Sequence, residues 1–140
     1  MTFRYRATLG MPDDRPCLGW CSDLERAARF YESTLAPLGF SRLVTRPRTT
    51  GFGKNHPEFW INLRTDMAQV SPGNGVHVCL RAKSIGDVDA FHAAALKAGG
   101  RSDGAPGLRP HDRVRYYAAF VIDPDGNRIE AVTFPTDDAK

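Results

Sequence analysis

Residues 116–132, YYAAFVIDPDGNRIEAV, decide how the chain reads. Two apolar runs flank Asp123-Pro124-Asp125-Gly126-Asn127. Pro and Gly punctuate a turn there, and Asp-Gly supplies the positive φ that tight turns require. The stretch is therefore a β-hairpin. One carboxylate, Glu130, sits inside its second strand between Ile129 and Ala131. A charge in an otherwise apolar strand is costly unless it is paired or put to use.

Working back from this hairpin, the same order of elements occurs twice. Val76–Arg81 reads as a strand and Ser84–Asp87 as a helix cap. Val88, Phe91, His92, Ala95 and Leu96 then form one apolar helical stripe, ended by Gly99-Gly100. Arg101–Ser102 starts a short strand, Gly104–Arg113 reads as a long loop, and the hairpin follows. In the first half, Cys17–Cys21 is a strand. Ser22-Asp23-Leu24-Glu25 has the form of a capping box on Ser22. Leu24, Ala27, Ala28, Tyr31, Leu35 and Leu38 make a stripe, so the spacing predicts a helix over Asp23–Leu38 that stops at Gly39. Phe40–Thr45 reads as a strand and Arg46–Pro57 as a loop. Glu58–Arg64 and Met67–Val70 are strands, and Ser71–Gly75 is a break. Residues 2–9 alternate like a short edge strand or a frayed terminus. Each half is thus strand, helix, three strands, and an internal repeat of that kind governs the fold.

Bulk properties exclude several classes. A chain of 140 residues fits one domain, or two small modules sharing a core. The net charge of +3 comes from scattered arginines and not from a basic run, which argues against a nucleic-acid stripe. The longest apolar run, Tyr116–Ile122, is far short of the ~20 residues of a membrane helix. Met1–Asp14 lacks the apolar core of a signal peptide, so a cytoplasmic location is expected. On one strand, Cys17 and Cys21 would lie ~13 Å apart, too far for a disulfide or a shared metal. With Cys79, they are expected to be reduced, and mostly small apolar fillers.

Strand parity locates the chemistry. If Ile129, Ala131 and Thr133 face the helix, then Arg128, Glu130 and Val132 face away from it. Likewise Val76, Val78 and Leu80 face the helix, and His77, Cys79 and Arg81 share the open face with Glu130. A His and a Glu converging there suit a divalent metal, or form an ordinary hydrogen-bonded pair. Trp20, Trp60, Tyr116 and Tyr117 line the concavity or belong to the core. Arg113 and Arg115 supply positive charge for an anionic substrate, or are wet surface.

The stretch Cys17–Phe134 resembles the vicinal oxygen chelate superfamily, which includes glyoxalase I, extradiol dioxygenases and bleomycin-binding proteins. The resemblance rests on SDLERAARFYESTLAPLGF (Ser22–Phe40), GVHVCLRA (Gly75–Ala82), DVDAFHAAALKAGG (Asp87–Gly100), GAPGLRP (Gly104–Pro110) and the terminal hairpin. It is closest to small single-domain glyoxalase-like proteins. It implies an α+β fold of two βαβββ modules, with mixed, mostly antiparallel sheets forming a concave site. That makes a single domain over 1–140, with module one at about 16–70, module two at about 75–134 and residues 1–15 as an extension. It also implies a homodimer and a small-molecule ligand; from charge and run length, no nucleic-acid or membrane partner is expected. Its metal positions map onto His77 and Glu130. The third falls on Pro16, which cannot ligate through a side chain, and a second loop His of relatives is replaced by Arg113. His111 or His56 would have to complete a metal site. The implied function is a metal-assisted lyase or isomerase acting on vicinal oxygens, with Glu130 catalytic. His111, Arg113, Tyr116, Tyr117 and Trp60 would bind substrate. The alternative is a metal-free, antibiotic-type binding protein of the same fold.

Overall fold

The computed structural model describes residues 17–64 and 77–136. Module one comprises β1 (Cys17–Cys21), α1 (Leu24–Leu35), a 3-10 turn (Ala36–Leu38), β2 (Ser41–Arg46), β3 (Thr49–Gly53) and β4 (Pro57–Leu63). Module two comprises β5 (His77–Arg81), α2 (Ile85–Lys97), β6 (Arg101–Arg109), β7 (Tyr116–Ile122) and β8 (Arg128–Thr133). The sheet orders are β1-β4-β3-β2 and β5-β8-β7-β6. In each sheet the first strand joins the last in parallel, and the other pairs are antiparallel. This is the α+β architecture of two βαβββ modules. The strands expected at residues 2–9 and Met67–Val70 lie outside the described residues, as do Pro16 and Val76.

Both helices use the apolar stripes that their sequences carry. α1 buries Ala27, Ala28, Phe30, Tyr31, Thr34 and Leu35, while α2 buries Val88, Phe91 and Ala95. His92 and Leu96, expected in the stripe, are not buried with it. His92 lies 2.8 Å from the Ser102 hydroxyl, and Leu96 is exposed. Partial burial lowers the His92 pKa. Ser84 caps α2 as expected, accepting from the Asp87 N–H at 3.1 Å. The α1 cap differs: Asp23, not Ser22, accepts from the Arg26 N–H. The Ser22 hydroxyl instead donates to Asp125 at 2.9 Å, so a partner from module two has claimed it. Gly39 closes the 3-10 turn at φ 82°, a conformation that costs glycine little.

Two stretches expected as loops are strands. β3 occupies the middle of Arg46–Pro57, and β6 continues through Gly104 to Arg109. Glycine marks close approach in both rather than a turn. A Cβ at Gly51 would stand 3.0 Å from the Trp60 ring, and one at Gly104 would stand 3.0 Å from Phe120.

The helix-facing sides of both sheets and the two helices share one core. Its centre is an aromatic group in which the Tyr31 and Phe59 rings are 4.7 Å apart. Tyr31 carries a buried hydroxyl, which must find a partner. It donates to Asp123 Oδ2 in the turn between β7 and β8. That turn ties the modules together. Asn127 Nδ2 donates to the Trp20 carbonyl at 2.7 Å, and Asp125 Oδ1 accepts from the Ser22 N–H at 3.1 Å. Asp123 Oδ1 accepts from the N–H groups of Asp125 and Asn127, which holds the turn in shape. Gly126 supplies the positive φ, at 98°.

Candidate functional site

The strand alternation that builds the core also builds the open face. On β8, Ile129 and Ala131 enter the core, which leaves Glu130 on the side away from the helices. The register sets Glu130 between Cys79 of β5 and Phe120 of β7. His77 and Cys79 share that face because Val78 and Leu80 are core residues.

Glu130 is only 4% exposed, yet both of its oxygens are engaged. Oε2 lies 2.9 Å from His77 Nε2, and Oε1 accepts from the Tyr116 hydroxyl. A carboxylate here selects the Nε2–H tautomer of His77, which leaves the Nδ1 lone pair unused by Glu130. The His77 side chain is 49% exposed, so part of the imidazole is open to a ligand. Burial and the bond to Glu130 push the Tyr116 pKa well up, which keeps the phenol a donor.

Aromatic rings surround this centre. His111 stacks on Tyr116 with ring centroids 6.1 Å apart, and Phe134 meets Tyr116 edge-on at 5.4 Å. His77 meets Phe120 at 6.0 Å. Arg81 lies over Phe134 at 4.3 Å and Arg109 over Phe120 at 5.3 Å. These are cation–π distances.

The expected site residues divide accordingly. His77, Glu130, Tyr116 and His111 come together on the second sheet. Arg113 stays exposed on the loop, where its backbone N–H donates to His111 Nδ1 at 3.2 Å. Tyr117 points to the other face, and its hydroxyl donates to Asp89 of α2 at 2.6 Å. One step in strand parity reverses its direction, which removes it from the concave face. Trp60 is on the first sheet, away from the core residues Phe59 and Ile61, with Arg46 over its ring. It is the counterpart of Glu130: β1 pairs with it as β5 pairs with Glu130. His56 is exposed in the β3–β4 turn. Cys79 is exposed and is no core filler, whereas Cys21 is buried, and burial raises its pKa to about 12. Sequence reasoning missed Arg109 because its strand was read as a loop.

A resident metal fits this donor set poorly. Protein zinc sites of the catalytic type use three protein ligands. Among the described residues, no group of three His, Cys, Asp or Glu side chains converges. Glu130 already accepts from both neighbours, and one of these, Tyr116, is a protonated phenol. His111 turns Nδ1 to the Arg113 and Val114 N–H groups and its ring to Tyr116.

Comparison with known proteins places this geometry. A glyoxalase/bleomycin resistance protein from Albidiferax ferrireducens T118 is 31% identical, with a TM-score of 0.73 over 85% of this chain and 96% of that one. Glyoxalase I from Zea mays, in a variant form, is 23% identical at TM-score 0.61, over 82% of this chain and 43% of that one. A bleomycin-binding protein solved with bleomycin is 17% identical at TM-score 0.54, over 84% and 94%. The last two show likeness of fold alone. No curated protein sequence matches this chain. The family model for the Glyoxalase/Bleomycin resistance protein/Dioxygenase superfamily matches residues 17–131. With two βαβββ modules and a match over most of its length, the chain belongs to that superfamily.

Proposed function

We propose that the protein binds a small molecule on the concave face of its second sheet without needing a resident divalent metal. The supporting observation is that Glu130 is bonded to both His77 and Tyr116, with no third His, Cys, Asp or Glu side chain converging on Glu130 and His77 among the described residues. This leaves a two-residue donor set where a metal needs three. Such a face offers a ligand one imidazole edge, a phenol, aromatic walls from Phe120 and Phe134, and nearby cations. That mixture of apolar walls and a few placed polar groups is typical of small-molecule sites. His111 and Tyr116 are the binding residues in this reading, with Trp60 and Arg113 at its margins. Metal content of protein purified without chelator tests it, with His77→Ala as the control. A thermal-shift screen of small molecules with and without chelator completes the test. We expect substoichiometric metal and ligand stabilisation that chelator leaves unchanged. Stoichiometric metal that is lost in the His77→Ala variant would overturn the reading.

A second reading, a lyase or isomerase, is favoured by one feature. Glu130 orients an exposed imidazole, the arrangement that makes His77 a base. In such a reaction the C–H bond next to a substrate carbonyl breaks and its proton goes to Nδ1. The proton then returns to the neighbouring atom, so the substrate is rearranged without net gain or loss. Deuterium incorporation from D2O into α-hydroxycarbonyl probes, lost in His77→Gln, would support it. No exchange above the uncatalysed rate would remove it.

A further inference from the structure

Arg109 lies at the end of β6, and the chain around it is shaped to hold its guanidinium over the Phe120 ring on the concave face. Gly104, Gly107 and Arg109 pair with Phe120, Ala118 and Tyr116, so all three share the face that carries Glu130. The Arg109 side chain folds back along its own strand. Its Nη2 donates to the Ala105 carbonyl at 2.6 Å, and its guanidinium covers the Phe120 ring at 5.3 Å. The two glycines make this path available. A Cβ on Gly104 would stand 3.1 Å from Nη2, and one on Gly107 would stand 3.3 Å from Nη1. Neither glycine has a positive φ, so the missing side chains clear space and do not serve the backbone.

Phe120 in turn touches the His77 ring, which touches Glu130. A fixed guanidinium thus stands one ring away from the polar centre. The nearby carboxylates are already engaged: Glu130 by Tyr116 and His77, and Asp103 by Arg128 Nε at 2.8 Å. Nothing described on this face neutralises Arg109. A planar guanidinium held in place is a fork for two oxygens of one anion.

We propose that Arg109 is the specificity-determining residue of this site, binding the carboxylate or phosphate end of a small ligand whose remainder lies over His77 and Glu130. The inference rests on the reading of the concave face as a small-molecule site. Holding the fork in advance removes part of the ordering cost of binding, which gives Gly104 and Gly107 their function.

The test uses benzoate, phenyl phosphate and neutral benzamide, titrated into the protein and followed by NMR of His77 and Phe120. Expected is saturable binding of at least one anion, with benzamide at least tenfold weaker. Arg109→Gln should weaken the anion about tenfold or more, and Arg109→Lys should recover only part of it. Gly104→Ala keeps every charge but displaces the guanidinium, and should weaken the anion about fivefold. Circular dichroism melts identify any variant that fails to fold, and the charge-preserving Gly104→Ala stands in for it. The carboxylate-to-phosphate ratio identifies the source of the anion. The proposal is overturned if benzamide binds as well as the anions, if Arg109→Gln binds them unchanged, or if no probe binds by tens of millimolar. Binding that chelator abolishes but that still depends on Arg109 would remove the metal-free reading and leave this one standing.

Discussion

Two acids of the same hairpin, Asp123 and Glu130, are almost equally buried, at 3% and 4% exposure, yet they do different work. Asp123 sits in the turn and is saturated. It accepts from two backbone N–H groups, from Asn127 Nδ2 and from the Tyr31 hydroxyl, every donor being an interior group. Glu130 sits on the strand and has two donors among the described residues, one of them the half-exposed imidazole of His77. A carboxylate has about four acceptor sites. Burial therefore does not separate a structural acid from a functional one. The number of fixed partners does, because a saturated group has nothing left to offer a ligand.

The sharpest way to break this contrast is Asp123→Ala. It strands buried N–H groups, the Asn127 amide and the Tyr31 hydroxyl at the junction of the modules. Urea unfolding should show a loss of ~3–5 kcal/mol, and a loss below about 1 kcal/mol would refute the turn's role. Tyr31→Phe removes one of those bonds and should cost ~1–2 kcal/mol.

Tyr31 also gives the contrast a pH signature. Burial, then the Asp123 charge, raises its pKa well above 10, the ordinary tyrosine value. The unfolded chain therefore loses this proton near pH 10 while the folded chain keeps it. The native state then holds more protons, so stability present below pH 10 falls as the pH rises further. Asp123, raised mainly by burial, has the same sign at the acid end: stability declines as the pH rises through its own titration. Urea midpoints from pH 8 to 11 should fall above 10, with a shallower slope in Tyr31→Phe. An equal slope in both proteins would assign the effect elsewhere.

Glu130→Gln should change stability by no more than about 1 kcal/mol, because the Tyr116 hydroxyl and His77 can reorient to an amide. Its effect should be on ligand binding, read by the same NMR titration. A large stability loss without a binding change would make Glu130 another Asp123. Smallest in energy is the contrast between thiols. Exposed Cys79 should alkylate readily under native conditions while buried Cys21 resists, as mapped by mass spectrometry.

What could be read in the sequence follows the range of the interactions concerned. Alternation on Val76–Arg81 and on Arg128–Thr133 placed His77 and Glu130 on one face, because side-chain direction in a strand has a period of two and needs no distant information. The same rule fails where the sequence is ambiguous. Tyr116 and Tyr117 are adjacent and identical in type, and only the β7–β8 register separates the site residue from the one bound to Asp89. β3 and the length of β6 were hidden because glycine reads as a breaker in isolation. Here it makes room for Trp60, Phe120 and Arg109, which arrive from other strands or fold back onto their own.

The sequence by itself determined the strand–helix–three-strand order of module two, the α2 cap at Ser84 and the two faces of β5 and β8. Each depends on residues a few positions apart. Only the tertiary structure decided that Asp23 caps α1 because Asp125, 103 residues from Ser22, takes the Ser22 hydroxyl. It also decided that Glu130 is shared between Tyr116 and His77 and that Arg109 folds over Phe120 on the concave face. Hydrogen bonds and close approaches between distant segments fix those outcomes. Their energies depend on which groups burial brings together, and local pattern carries no record of that.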